Sequence, residues 1–219
     1  MARIHVFADE AGNFDFNTRP GASRYFILTT VTTHDCSPGD RLLALRRDLA
    51  WRNVEQATQD FHATEEKQAV RDEVFAELAS CDFRIDASIW EKAKVDPGLA
   101  ASWERFYKTV WFYHFRYIAP RIAGAGNELM VLASSIGTRK KASLLHSAVD
   151  DVVAQSARRR DYRTEFWACA SDPCLWVADY ASWAIQRKWE SGNDRSHVLI
   201  ASKIGSEFEF TRRSQIRYY

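Results

Sequence analysis

The chain has 219 residues, 46% of them hydrophobic and 27% charged, the balance of a globular protein rather than a disordered or fibrous one. Its length suits a single core, and an aromatic share of 13% means that large rings must fill much of it. A net charge of +1 supplies no global field toward nucleic acid, so any such binding has to use local patches.

Met1 leads directly into Arg3-Ile4-His5-Val6-Phe7, which reads as a first strand rather than a targeting segment. Gly12-Asn13 punctuates, and Arg24 to Thr33 is a second β-rich run, expected to pair antiparallel with the first. A helical insertion follows over about 38–80. Pro38 and Gly39 open one helix that runs to about Asn53, and Thr64 with Glu65 and Glu66 looks like the cap and first turn of another. Phe83, Ile85, Ala87 and Ile89 alternate with polar residues as a third strand, and Leu99 to Ile122 reads as one long, ring-rich core helix. Leu129 to Ala133 is a short buried strand, Lys140 to Ala157 an amphipathic helix and Thr164 to Ala168 a fifth strand. Asp172 and Pro173 stand at the N-cap and first turn of a last long helix, with Gly192 just past its end.

This order predicts one α/β domain over 1–219, with a mixed five-stranded sheet flanked by helices. The C-terminal extension, 197–219, holds a strand-like Val198-Leu199-Ile200-Ala201 and an alternating end with Phe208 and Phe210, and has no assigned place in the sheet. No window nears ~18 uninterrupted apolar residues, so no membrane span is expected. Cys36, Cys81, Cys169 and Cys174 form no CxxC pair and no zinc spacing. They read as small, buried, reduced thiols of a soluble cytoplasmic protein.

The last long helix carries the sharpest chemical signal. From Leu175 to Ile185 it is apolar nearly all round, with Asp179 in its middle. A buried, unpaired carboxylate costs several kcal/mol, so a cation, a hydrogen-bonding partner or a raised pKa should compensate it. Asp9 ends the first strand and Glu10 follows it, so alternation sends their side chains to opposite faces and leaves one able to meet the final helix. Carboxylates from separate elements suit Mg²⁺ or Mn²⁺ chemistry on a phosphodiester. Plainer roles stand beside these: Asp9 bonding its own turn, Asp179 pairing with Arg187, and His62 serving as a helix-entry residue rather than a ligand or base. Arg139-Lys140-Lys141, Arg158-Arg159-Arg160 and Arg212-Arg213 are local basic clusters fit either for a phosphate backbone or simply for water. Ser134-Ser135 lacks the surroundings of a nucleophile elbow.

Phe7-Ala8-Asp9-Glu10-Ala11-Gly12, the following strand Tyr25-Phe26-Ile27-Leu28, Phe61-His62 with Val70-Arg71, and the closing Trp176-Val177-Ala178-Asp179-Tyr180 together resemble the domain-of-unknown-function 3800 family over nearly the whole chain. The resemblance implies a ribonuclease-H-like fold and a metal-dependent nuclease, of a kind suspected in phage defence or mobile elements. Two positions depart from the pattern. Trp176 stands where the family usually has Gln, and Ala133-Ser134-Ser135 ends a strand where many members place another aspartate. The expectation is therefore a Mg²⁺- or Mn²⁺-dependent hydrolase of RNA or DNA. Asp9, Glu10 and Asp179 would hold the metal, His62 would support catalysis, and Arg139, Lys140, Lys141 and Arg187 would contact nucleic acid. The alternative is a catalytically silent module that binds nucleic acid or a protein partner.

Overall fold

β-branched and aromatic residues line both faces of the opening strands, so these strands can be covered on each side. In the computed structural model, which describes residues 2–17, 19–54, 61–124, 126–135, 139–157 and 161–219 without the side chains of 139–142 and 144, β1 (Arg3–Ala11) and β2 (Tyr25–Thr33) pair antiparallel. Helices α1 (Ser37–Trp51) and α2 (Gln68–Ser80) lead to β3 (Arg84–Glu91), antiparallel to β2. A short α3 (Pro97–Ala100) and the long α4 (Trp103–Ile122) precede β4 (Glu128–Ser134), parallel to β1. Then come α5 (Arg139–Ser156), β5 (Tyr162–Trp167), α6 (Pro173–Ser191), α7 (Arg195–Ile200) and β6 (Ile204–Glu209). The result is an α/β architecture whose mixed sheet has the order β5-β4-β1-β2-β3-β6.

Strand alternation divides the core. Phe7, Ile27, Val31, Ile85 and Ile89 pack with Leu175, Ala178 and Ile185 of α6 and with Val74 and Phe75 of α2. Ile4, Val6, Ala8, Phe26 and Leu28 meet Phe106, Tyr107, Trp111 and Phe115 of α4 and Val149 of α5 on the other face. The ring-rich helix is thus a core helix, as its composition predicts.

Four expectations need correction. The sheet has six strands, not five, because the C-terminal segment adds β6 parallel to β3. Gly205 permits this approach, since a Cβ there would run into the Arg84 guanidinium. The strand-like 198–201 is instead the end of α7 and a following 3-10 turn, with Ile200 buried while Val198 and Leu199 face solvent. The long helix is two, because Asp96 accepts from the Gly98 and Leu99 N–H groups and Ser102 from that of Arg105, making two separate helix starts. Finally, α2 begins at Gln68 rather than near Thr64, because the backbone groups around residue 63 bond elsewhere in the fold.

Cys81 and Cys174 are buried as expected, but Cys36 is exposed and Cys169 half-buried; no disulfide joins any of the four among the described residues. Among the described residues, no helix is long and apolar enough to cross a membrane.

Candidate functional site

The C-terminal ends of parallel β1 and β4 lie side by side, with Ala8 opposite Ala133, so Asp9 and Ser134 are the next residues along each strand. In open α/β sheets this end of the parallel strands is where crevices form. Helix α6 crosses the same region of the sheet and brings Asp179 to it. Its start is fixed by Asp172, whose carboxylate accepts from the Cys174 N–H at 2.7 Å, and its end by Gly192 in the left-handed conformation.

Asp9 keeps part of its surface accessible, yet its carboxyl is held well above the ordinary carboxylate range. Desolvation is the largest cause, followed by the negative charges of Asp179 and Glu10, while hydrogen bonding from Ser134 pulls the other way. Asp179 is only 8% exposed. Its carboxyl is also raised, first by burial, and is lowered in part by the Ala63 N–H and by His62. The Ala63 N–H donates to Asp179 Oδ2 at 2.7 Å, and His62 Nδ1 lies 3.8 Å from Oδ1. This anchoring delays α2: His62 N–H donates to Glu66 Oε1 at 2.9 Å and Arg71 Nε donates to the Ala63 carbonyl at 2.6 Å, so the residues before Gln68 form a strapped turn.

The structure therefore brings together Asp9, Asp179 and, at the rim with a half-exposed ring, His62. It does not group Glu10 with Asp179. Alternation turns Glu10 to the α4 face, where Tyr107 Oη donates to its Oε1 at 2.5 Å. Burial there pushes the Glu10 carboxyl up to about 7, against the lowering effect of Tyr107 and Trp111. Glu10, expected beside Asp9 and Asp179 as a metal ligand, instead spends one carboxylate oxygen on Tyr107 on the α4 side.

Arg187 is exposed and lies two turns beyond Asp179 on α6, about 12 Å along the axis at 1.5 Å per residue. A pairing of the two is not what compensates Asp179. The side chains of Arg139, Lys140 and Lys141, like all of Arg158-Arg159-Arg160, lie outside the described residues, whereas Arg212 and Arg213 are exposed.

Sequence reasoning missed several members of the site. Thr29 is the register partner of Asp9 and shares its face, and Ser182 stands three residues after Asp179 on α6. Both hydroxyls are buried without a hydrogen-bonding partner among the described residues. Strand register would have revealed the first and helical spacing the second. The Ala63 N–H, a backbone group, leaves no mark in the sequence. Ser134, which the sequence marks as a missing aspartate and a poor nucleophile, is a neighbour that steadies Asp9.

Among the described residues, no group of three or more His, Cys, Asp and Glu side chains is arranged to hold a metal ion. What the site offers is two mutually repelling carboxylates, with the Ser134 hydroxyl bonded to Asp9 and Thr29 across the strand pair from it. No protein-family model matches this chain, and no curated protein matches it either.

Proposed function

We propose that Asp9 and Asp179 are the ligands of a Mg²⁺ or Mn²⁺ site in a nuclease that hydrolyses phosphodiester bonds of RNA or DNA. The observation that carries this reading is the convergence of two raised carboxylates from separate elements, with no Lys or Arg paired to either among the described residues. Two enclosed like charges need either a shared proton or a cation. The donor set fits a cation: hard divalent ions take one or two carboxylates and complete their shell with water, and the unpartnered Thr29 and Ser182 hydroxyls can bond such waters. Such an ion would supply charge neutralisation at a phosphate and a more acidic bound water. Asp9 and Asp179 would hold it, Ser134 and the Ala63 N–H would orient them, and His62 would stand at the rim beside Asp179.

A ribonuclease-H-like fold belongs to the same proposal. It is supported by the antiparallel run β1-β2-β3 with β4 and β5 added in parallel beside β1, and by the resemblance of the Asp9 and Asp179 segments to the domain-of-unknown-function 3800 family. A second reading, a silent binding module on this fold, is favoured by one observation: Ser134 stands where a third carboxylate would complete a stronger metal site.

Mn²⁺ titration by calorimetry of the wild type, Asp9→Asn and Asp179→Asn separates the two. The nuclease reading expects saturable binding that both substitutions abolish, tightens as pH rises and releases protons, because the ligands must be deprotonated. Wild-type protein that binds no Mn²⁺ would sink the metal site and leave the binding module.

A further inference from the structure

On the opposite face of the sheet from Asp9 and Asp179, α4 and the β3-β6 edge enclose a cleft of about 430 Å³, within the usual size of a small-molecule site, roughly 300–1,000 Å³. Its walls are aromatic. Phe210 stacks on Trp90 with ring centroids 4.0 Å apart and lies 4.4 Å from Tyr113. Phe208, at 55% exposed, leaves its ring open to a ligand. Such rings are usually covered in a globular protein, and a lined concavity of this kind is where a planar molecule would cover them.

Two cations stand at the mouth. The Arg121 guanidinium lies 3.7 Å over the Tyr117 ring, which fixes its planar fork, and Arg116 lies 5.9 Å from the Phe112 ring. Among the described residues neither has a carboxylate within ion-pair distance. Arg121 Nη1 donates to the Tyr117 carbonyl of its own helix, which steadies the guanidinium, and its other N–H groups, like those of Arg116, face no carboxylate among the described residues and suit capture of a phosphate.

Two serines line the cleft: Ser206 spends its hydroxyl on Asp86, and Ser88 is held as a polar anchor. Ser88 Oγ lies 2.8 Å from His114 Nδ1, and His114 Nε2 lies 2.8 Å from Thr30 Oγ1. The ring is fully enclosed, and burial pushes its pKa down to about 4, so it is neutral at physiological pH. With either ring nitrogen protonated, Ser88 Oγ spends one hydrogen-bonding position on the imidazole and keeps others for the cleft. Nucleobase edges carry both donors and acceptors and match this anchor in either tautomer.

We propose that this cleft binds a nucleotide, with the base lying along the aromatic wall against Phe208 and reaching Ser88, and the phosphate held by Arg116 and Arg121. The site is separate from the Asp9–Asp179 centre and does not depend on the reading of that centre. The same chemistry is presented by a free nucleoside monophosphate and by one residue of a single strand.

The test is calorimetric titration of the full chain with adenosine monophosphate and, separately, with a short single-stranded oligoadenylate, both in EDTA. Saturable binding of the monophosphate, weakened about tenfold or more by Arg116→Ala/Arg121→Ala and by Phe208→Ala, is the expected result. All three side chains reach solvent, and circular dichroism checks that the variants remain folded. Binding of the monophosphate without the oligomer assigns the free nucleotide, while comparable binding of both with the same arginine dependence assigns a strand. The proposal is overturned if neither probe binds the wild type in EDTA or if the substitutions leave binding unchanged.

Discussion

Asp179 serves two physical ends that can be separated by substitution. One oxygen accepts the buried Ala63 N–H at 2.7 Å, and the negative charge repels that of Asp9. Asparagine keeps an acceptor of the same shape while removing the charge. Metal-free Asp179→Asn should therefore melt at a higher temperature than the wild type at pH 8, although it loses Mn²⁺. Alanine removes the acceptor and strands a buried donor, which costs about 1–3 kcal/mol. Thermal and urea denaturation of the two variants should move in opposite directions. If asparagine destabilised the protein as much as alanine, the two carboxylates would not be in mutual repulsion. Raised stability with lost binding is the trade expected of a functional site.

Helix α6 carries this residue, and its placement depends on local signals that the sequence states openly. Asp172 accepts from the Cys174 N–H, and Gly192 adopts φ 69°, a conformation that other residues enter at a cost. Asp172→Ala should cost about 1 kcal/mol, within the usual range of about 0.5–2 for a lost N-cap, and should weaken Mn²⁺ binding less than Asp179→Asn does. Urea midpoints and calorimetry check the two parts. Caps, helical periodicity and strand alternation were legible because each rests on residues a few positions apart. Asp179 stood out for the same reason, as one charge in an apolar run, and alternation already separated Asp9 from Glu10. What could not be read depends on distant partners. Helix α2 starts late because Ala63 bonds a residue 116 positions away. Strand β6 forms by pairing with β3, more than a hundred residues earlier in the chain, with Gly205 leaving room for the Arg84 guanidinium, and its alternation is too polar to announce a strand.

Across the whole molecule, the titrating groups set opposing limits on stability. Asp9, Glu10 and Asp179 all have folded-state carboxyls raised above their ordinary values by burial, Glu10 to about 7. A raised carboxyl stabilises the fold fully below its unfolded pKa of about 4 and loses that contribution as pH rises through the folded value. Glu207 works in the other sense. It accepts from His197, Lys188 and Trp189, which tie β6 to α6 and α7, and these bonds hold its carboxyl down to about 2 against the raising effect of burial. Its contribution is present above the ordinary glutamate range and is lost as pH falls toward 2. Metal-free protein should accordingly be most stable near pH 5 and melt at progressively lower temperature toward pH 8. Glu10→Gln, which imitates the protonated form and still accepts from Tyr107, should flatten the alkaline slope. Saturating Mn²⁺ should raise the melting temperature more at pH 8 than at pH 5, since only the deprotonated pair binds it, and a ligand at 100 times its Kd adds about 2.7 kcal/mol. Melting curves of wild type and Glu10→Gln over this pH range, with and without Mn²⁺, test both claims. An Mn²⁺ effect that is equal at the two pH values would break the link between the carboxylate pair and the metal. An unchanged slope in Glu10→Gln would instead show that Glu10 is ionised in the fold, leaving Asp9 and Asp179 to account for the whole alkaline loss.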